Sequence, residues 1–540
     1  MDYKIKVPQE KYEEEDNIIT KILKIRGIEN KQDFLYPSEK YTHSHWELSS
    51  MREAVDYIID AIENNCKVGI YGDIDADGVT SLAIIYHYLI AHGITPILLY
   101  HQRGEGHGVI VDKVPKDLDL LIIVDSSSNC VEECKELSED MNIVILDHHE
   151  SDVLNRFATI VNPQFNDYPN KFLCGAGVCY KTCQAIDEVM CTTYSEPLID
   201  YCAVGMIGDM MNVSNLETRH LIMKGLFKIH NNCSLPLQLI LKHLKKDFRP
   251  NSTTISFYLV PFINSIIRLE HIEDIIAILT SNDEKFMKAM IKKCAKLNEE
   301  RKVIQAKMLK EVDKDLDTSH KVIYAIAKSK DGNSTLNGLV ANNIMKKYQK
   351  PTFILGELRD KSTIHKGSGR SLGDIDVRVL MNKSKLVVSA EGHQGAFGVE
   401  IEESNLDALM LYLDDELKDV VCDTSLQVEM ELKQSDITWE FLKDLEKISF
   451  IVGEGFKEPL FLLKCMFKTD VKVMKIVHVK LTAGEFDCMK FNIEQDEVDK
   501  LSNAFCFDTI GSLAVNSFYN FGTKIMTKSK QILMSDIHIY

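Results

Sequence analysis

Three aspartates occupy alternate positions in Tyr71-Gly-Asp73-Ile-Asp75-Ala-Asp77-Gly-Val-Thr80-Ser81, directly after the apolar run Lys67-Val-Gly-Ile70. Alternation at the end of a strand sends all three carboxylates to one side. Like charges at that spacing repel one another, and a bound cation is what makes such a cluster tolerable. Residues 80–91 read as a helix, so the cluster falls where a strand passes into a helix. Open α/β sheets keep their active sites at such places. The chemistry this implies is that of a divalent-metal enzyme acting on a phosphorylated substrate.

Three further elements end in the same way. Ile122-Ile-Val-Asp125-Ser-Ser-Ser-Asn129 places Asp125 between an apolar strand and a polar turn. Ile145-Leu-Asp147-His148-His149-Glu150 adds imidazole nitrogen to an oxygen-rich site, and Asp209 closes the apolar stretch Ala203-Val-Gly-Met-Ile-Gly208. A mixed carboxylate and imidazole donor set suits Mn²⁺, with Mg²⁺ also admissible. A single Asp after a strand is ordinarily a turn former or helix cap, and a single His-His pair is ordinarily surface or core. Four such elements in one α/β stretch are hard to produce by chance, and together they point to a dinuclear site. Two metals would clamp a phosphodiester and activate water in line with the leaving oxygen.

The elements that must position these groups alternate between short apolar runs and helical patterns from 52 to about 230. The runs lie at 68–70, 94–100, 121–124, 143–146 and 158–161, the pattern of a parallel sheet covered on both faces. Residues 236–290 are largely helical, and 283–315 read as one long helix bridging two domains. A second α/β unit has strands at 321–327 and 351–355 around a helix at 338–348. From about 426, strand candidates at 428–432, 460–466, 471–477 and 489–493 suggest a small β-barrel or sandwich. The expected fold is therefore α/β. Its domains are a helical lead-in (1–50), a parallel-sheet catalytic domain (51–280), a connecting helix (281–318), a smaller α/β domain (319–420) and a β domain (426–540).

At 540 residues the chain needs several cores, and 45% hydrophobic with 27% charged residues is a globular composition. No apolar run approaches the ~20 residues of a membrane span, so no membrane partner is expected. The N-terminus lacks an apolar signal core, and the fourteen cysteines include no Cys-x-x-Cys pair. They read as reduced and mostly buried, with a cytoplasmic location. The net charge of −18 excludes coating of duplex nucleic acid by bulk charge but leaves room for a local basic groove.

Asp75-Ala-Asp77-Gly, Val124-Asp125, Asp147-His148-His149 and Gly208-Asp209 resemble the four motifs of the DHH phosphoesterase superfamily. Gly367-Ser368-Gly369-Arg370-Ser371 and Gly392-His393-Gln-Gly-Ala-Phe-Gly398 resemble the substrate-binding motifs of its DHHA1 domain. Four further segments narrow the resemblance to the RecJ group, the single-stranded-DNA-specific 5′→3′ exonucleases of recombination and repair. They are Arg103-Gly-Glu105-Gly106-His107-Gly108, Ile263-Asn264-Ser-Ile-Ile-Arg268, Gly338-Leu-Val-Ala341 and Gly453-Glu-Gly455-Phe-Lys-Glu-Pro459-Leu-Phe461. The last opens a region that resembles the RecJ OB-fold.

The resemblance implies two Mn²⁺ or Mg²⁺ ions held by Asp75, Asp77, Asp125, His148 and Asp209, with Asp125 bridging. It makes Asp73 and His149 catalytic groups beside the metals or at the phosphate. Arg103, Arg268, Ser368, Gly369, Arg370, Ser371, Gly392 and His393 become contacts to single-stranded DNA. A single-strand-binding protein or a helicase are the protein partners it suggests. In the C-terminal region Phe461, Lys472, Lys475, His478 and Lys480 are candidate strand contacts, and truncation near 425 is expected to leave cleavage of short oligonucleotides. The chain departs from the RecJ pattern at Ile74, at Ser126-Ser127, around Gly208, at Ile266-Ile267 and at Glu391. Bulk at 266–267 and negative charge at 391 are expected to bear on DNA binding. Two other readings compete: a phosphoesterase of short oligoribonucleotides or cyclic dinucleotides, and a degenerate replication scaffold. The β domain argues against the first and the intact acidic set against the second.

Overall fold

The structure, a computed structural model, describes residues 1–540 apart from 7–12, 14–15, 103–104, 106–107, 152, 329–332, 359–361, 374, 421–422, 424, 475–477, 492, 494 and 521–524; at 333–334, 393, 518–520 and 525 it describes the backbone alone. The catalytic sheet has five parallel strands in the order Ile97–Tyr100, Val68–Gly72, Leu120–Val124, Asn142–Leu146, Thr159–Val161. Its strands are continuous apolar runs because helices cover both faces. From Val68–Gly72 the chain crosses first to one neighbour and then, for Leu120–Val124, to the other. The strand order thus reverses at the carboxyl ends of these two strands, the crevice where doubly wound sheets bind ligands. Asp73 to Asp77 and Asp125 follow those two strands directly.

The 31-residue helix Glu284–Lys314 connects this unit to the next. Its first half buries Met287, Ile291 and Cys294 in the catalytic core, and its second half buries Met308 and Val312 against the second sheet. That sheet has the order Ser389–His393, Ala396–Glu402, Ile364–Arg370, Thr352–Gly356, Ile323–Ala327. The final pair is parallel and the others antiparallel. The C-terminal region is a seven-stranded sheet that includes Phe461–Phe467 and two 15-residue strands, Cys506–Asn520 and Ile525–Ile539. These two longest strands are absent from the sequence reading. Residues such as Asn516, Ser517, Ser529 and Lys530 break the apolar alternation by which a strand is recognised.

The lead-in and the C-terminal sheet are joined to the catalytic unit. Tyr3–Ile5 pairs in parallel with Leu426–Val428. Glu429, almost wholly buried, is held by Arg26 at 2.6 Å and Lys6 at 2.7 Å. Arg219 makes the junction. Its guanidinium lies over the rings of Phe34 (3.9 Å) and Phe456 (5.4 Å), and it donates to the carbonyls of Phe34 (2.6 Å), Val213 (3.3 Å) and Ile451 (3.1 Å). One continuous apolar core runs from Ile18 through the catalytic helices to Met534.

Arg219→Met keeps the side-chain bulk but leaves three buried carbonyls short of a donor, at about 1–3 kcal/mol each. The expected outcome is a lower thermal midpoint together with faster proteolysis around 425–460. An unchanged melting curve and digestion pattern would show that the junction does not hold the two regions together.

Candidate metal centre

The three leading aspartates do not alternate along a strand. The strand ends at Gly72; Asp73 and Asp75 lie in the turn, and Asp77 is in the first turn of the Ala76–Ala91 helix. Asp75 caps that helix, its Oδ1 accepting from the amides of Asp77 (2.8 Å) and Gly78 (3.0 Å). Asp77 faces a second helix start, that of Gly175–Met190. Its Oδ2 accepts from the Gly175 amide (2.7 Å), and its Oδ1 accepts from the Ala176 amide (3.0 Å) and the Cys174 thiol (3.0 Å). Two helix N-termini therefore supply the positive potential that lets these carboxylates sit side by side. The approach is close enough to need glycine. A Cβ at Gly205 would lie 2.4 Å from Asp77 Oδ1, and one at Gly175 would lie 2.6 Å from Asp125 Oδ1.

Asp125 adopts a left-handed backbone (φ 62°), with its amide donating to the Leu146 carbonyl at 2.9 Å. Among the described residues its buried Oδ1 has no hydrogen-bond donor, and it lies 3.2 Å from His148 Nε2. The same nitrogen is 3.5 Å from Asp209 Oδ2 and 4.0 Å from Asp77 Oδ2. Donor atoms of Asp77, His148 and Asp209 fall within 4.8 Å of one another, as do those of Asp125, His148 and His149. Two overlapping groups sharing His148, one with a buried oxygen that has no protein donor, fit two hard cations with oxygen and imidazole ligands.

Burial, then the charge of Asp75, pushes Asp73 up to about 7. Burial, then the charges of Asp77 and Asp75, pushes Asp209 up to about 8 and Asp125 well above the usual carboxylate range. Asp147 does the opposite. Burial opposes its charge, yet His149 outweighs this with a 2.7 Å hydrogen bond from Nδ1 and holds Asp147 below the ordinary range. Asp147 also accepts from the amides of Ser128, His148 and His149. The His149 imidazole, penalised by burial but paired with Asp147, is pushed up to about 9. It is an imidazolium at the rim of an anionic cluster.

The sequence reading gave Asp147 no role of its own, and it missed His101 and Cys174. His101 is fully buried at the end of the neighbouring strand, with Nε2 3.8 Å from Asp73 Oδ1 and Nδ1 3.3 Å from the Tyr71 hydroxyl. It follows the apolar run 94–100, so the strand-end rule that found Asp125 would have found it.

Arg268 ends the helix Val260–Arg268, and Ile266 and Ile267 beside it are buried in the core. Their bulk therefore does not obstruct a phosphate path. Ser368, Gly369 and Arg370 lie in the strand Ile364–Arg370, not in a glycine-rich turn. Gly369 is required by the Phe397 ring, 2.2 Å from where its Cβ would be. The Arg370 guanidinium lies over Gly338, whose Cβ would be 2.7 Å from Nη2, at the start of the helix Asn337–Tyr348. Ser371 is buried, its Oγ accepting from the Val377 amide at 3.3 Å, and Gly392 (φ 125°) offers its carbonyl to Arg378 Nη1 at 2.7 Å. Glu391 is exposed in the strand that ends at His393. Arg103, the His393 side chain and Lys475 lie outside the described residues. In the C-terminal sheet Phe461 is fully buried, so it is core and not a contact surface. Lys472 is exposed, Lys480 pairs with Asp487 at 2.8 Å, and His478 packs edge-on to Phe491.

The segment entering the C-terminal sheet grips the metal loop. The Glu454 carbonyl accepts from the Val213 amide (2.9 Å), and the Gly455 carbonyl accepts from the Ser214 hydroxyl (2.7 Å), four and five residues after Asp209. Ser252, at the start of the helical segment that leads to Arg268, donates its amide to the Phe450 carbonyl and its hydroxyl to the Val452 carbonyl. Truncation near 425 would remove these partners. The remainder, contrary to the sequence-based expectation, should therefore not cleave short oligonucleotides normally.

Residues 67–206 match the DHH family, N-terminal domain, and residues 428–525 match the RecJ OB domain. The SPbeta prophage-derived protein YorK of Bacillus subtilis (strain 168), provisionally named a single-strand DNA-specific exonuclease, is 28% identical over 92% of each chain. The single-stranded-DNA-specific exonuclease RecJ of the same strain is 25% identical over 96% of this chain and 67% of its own. The crystal structure of RecJ in complex with Mn²⁺ from Thermus thermophilus superposes with a TM-score of 0.80 at 22% identity, covering 96% of this chain and 75% of that one. The Mg²⁺ complex gives 0.75 at 21% identity, with 96% and 74% covered.

Two expectations follow. In the metal-free protein Asp73 and Asp209 keep protons up to about 7 and about 8, whereas the unfolded chain sheds them near roughly pH 4. The folded state then binds more protons, so its stability falls as pH rises through that window. His149, raised to about 9, adds a loss of the same sign. The metal-free melting temperature should drop between pH 5 and 8.5, and Mn²⁺ should reverse the drop. A flat profile would contradict the electrostatics described. Second, Gly455 has φ +76°, and a Cβ there would lie 1.9 Å from Asn212 Oδ1. Gly455→Ala should displace the loop after Asp209 and weaken Mn²⁺ binding in a calorimetric titration. Wild-type affinity would mean the grip does not position Asp209.

Proposed function

We propose that this chain, which carries a DHH domain and a RecJ OB domain on the RecJ fold, is a divalent-metal-dependent exonuclease that degrades single-stranded DNA from the 5′ end. The observation that carries the reading is the convergence of Asp77, Asp125, His148 and Asp209 at the switch point of a doubly wound sheet. The names of its relatives supply the substrate class. Asp75, Asp77, Asp125, His148 and Asp209 are the ligands in this reading. The two ions supply charge neutralisation at the phosphoryl group and acidify the attacking water.

The chain's own groups do the rest. His149, held as an imidazolium by Asp147, donates from Nε2 to a non-bridging phosphate oxygen. Asp73, raised toward its protonated form in the metal-free protein by burial and the charge of Asp75, faces the phosphate from the outer side of the cluster with His101 behind it. Arg370 and Arg268 hold phosphate oxygens of the strand, with Ser368, Gly369, Ser371, Gly392, His393 and Arg103 around the same path. The RecJ OB domain extends that path and favours polymers over dinucleotides. Such an enzyme needs unpaired DNA, so its partners are a helicase or a single-strand-binding protein in the cytoplasm.

The deciding assay supplies Mn²⁺ with 5′-labelled and 3′-labelled single strands beside a dinucleotide. Mononucleotides should appear first from the 5′ label. Asp125→Ala and Asp77→Ala should each lower the rate about a hundredfold or more, since the metal site contributes several kcal/mol. Metal-free melting of Asp125→Ala should be unchanged or slightly higher, because it relieves repulsion, whereas Asp77→Ala should melt lower, because it strands the Gly175 and Ala176 amides. Substantial activity in either variant would end the two-metal reading.

A further inference from the structure

The helix Glu284–Lys314 has one buried face. Along it, at alternating steps of four and three, stand Met287, Ile291, Cys294, Asn298, Arg301, Gln305, Met308 and Val312. That spacing keeps all eight on one stripe. The apolar members on either side of the middle are buried in two different cores, the catalytic one before and that of the second sheet after. The stripe turns polar only at 298, 301 and 305, where the helix has left one core and not yet joined the other. These three side chains point the same way as their buried neighbours and are half-buried. Arg370 rests its guanidinium at the start of the helix Asn337–Tyr348, which packs on the bridging helix.

Arg301 is half-buried there. Its Nη1 donates to Gln305 Oε1 at 3.0 Å and its Nη2 to Asn298 Oδ1 at 3.2 Å, while its buried Nε has no acceptor among the described residues. Among the described residues no carboxylate lies within 4 Å of it; Glu299 and Glu300, its neighbours in sequence, pair with Lys302 and Lys296. Two neutral amides thus fix the plane of the fork without cancelling its charge. The chain's structural arginines are tied down differently: Arg26 sits against the Glu429 carboxylate, and Arg219 donates from Nε and Nη1 to three carbonyls between two rings. A preorganised, half-buried and unneutralised guanidinium is what phosphate recognition uses.

We propose that Arg301 binds a backbone phosphate of the single strand as it passes between the metal centre and Arg370, with Asn298 and Gln305 as its positioning residues. The proposal rests on the nuclease reading and adds a contact outside the metal site and outside the Arg268 and Arg370 segments. Its test is fluorescence anisotropy with a 5′-phosphorylated 20-nucleotide oligo(dT) and full-length protein in EDTA, titrated over salt. Arg301→Met keeps the packing of the stem, and Arg301→Gln keeps an amide between Asn298 and Gln305, should the first variant fold poorly. Each neutral variant should bind roughly tenfold or more weakly, with the slope of log affinity against log salt shallower by about 0.7. Arg301→Lys should restore the slope. Neutral variants that melt normally and bind with wild-type affinity and slope would overturn the proposal and leave the nuclease reading standing. Failure of the wild-type chain itself to bind the oligonucleotide would instead overturn the nuclease reading, and the Arg301 assignment with it.

Discussion

Everything around the metal centre answers one constraint: mutually repelling carboxylates must be kept close together in a poorly hydrated crevice. Asp73, Asp75, Asp125 and Asp209 are displaced toward the protonated form by burial and by one another's and Asp77's charge. The fold meets the constraint with dipoles before any ion arrives. Asp75 and Asp77 each occupy the start of a helix, and five amide or thiol donors point at their oxygens. Asp147 stands apart from the others. Paired with His149 and fed by three amides, it stays charged and so fixes a cation at the rim. One carboxylate is given over to orienting an imidazole, and the rest are left to need a metal.

That requirement propagates outward. A candidate ligand set spread over four chain segments is only as good as the segments' relative placement. Asp75, Asp77, Asp125 and His148 follow strands of one sheet, which fixes them together. Asp209 does not: it caps the helix Ile199–Gly208 and leads into a loop. The structure compensates by docking residues 450–456 onto that loop and onto the start of the segment leading to Arg268. Arg219, sandwiched between Phe34 and Phe456, ties the lead-in to the same place. The C-terminal region is thus both a strand-binding candidate and a brace for the metal site, which is why it cannot be treated as an appendage.

Legibility in the sequence followed the range of the interactions. The strand-end carboxylates and imidazoles that the fold gathers, the parallel sheet and the bridging helix were all readable, because each rests on local periodicity: apolar runs ended by Asp or His, and a 31-residue helix without Gly or Pro. What escaped was tertiary. Asp73, Asp75 and Asp77 converge through a turn and a helix cap, although their spacing imitates strand alternation. Phe461 reads as a stacking aromatic but faces inward, since a strand of a closed-in sheet shows one face to the core. The feared bulk of Ile266 and Ile267 vanishes once the Val260–Arg268 helix is seen to bury that face and leave Arg268 at its end. His101 and Cys174 touch the carboxylates only because strands and helices distant in sequence meet at the switch point.

The chain's strong acidity sits uneasily with a polyanionic substrate only if charge is averaged over the surface. At short range the sign is reversed. The rim of the metal centre presents the His149 imidazolium, whose partner Asp147 is buried beneath it. Arg370 is set on the helix that starts at Asn337, and Arg301 stands on the bridging helix between two amides. Beyond roughly 8–10 Å the general negative field is screened by physiological salt, whereas contacts in a half-buried cleft are screened much less. An acidic exterior with a few preorganised cations inside therefore disfavours loose adsorption of DNA more than threading. It follows that affinity should come from a strand that has entered the cleft, where phosphates meet fixed donors, and that duplex lying on the surface gains nothing to offset its repulsion.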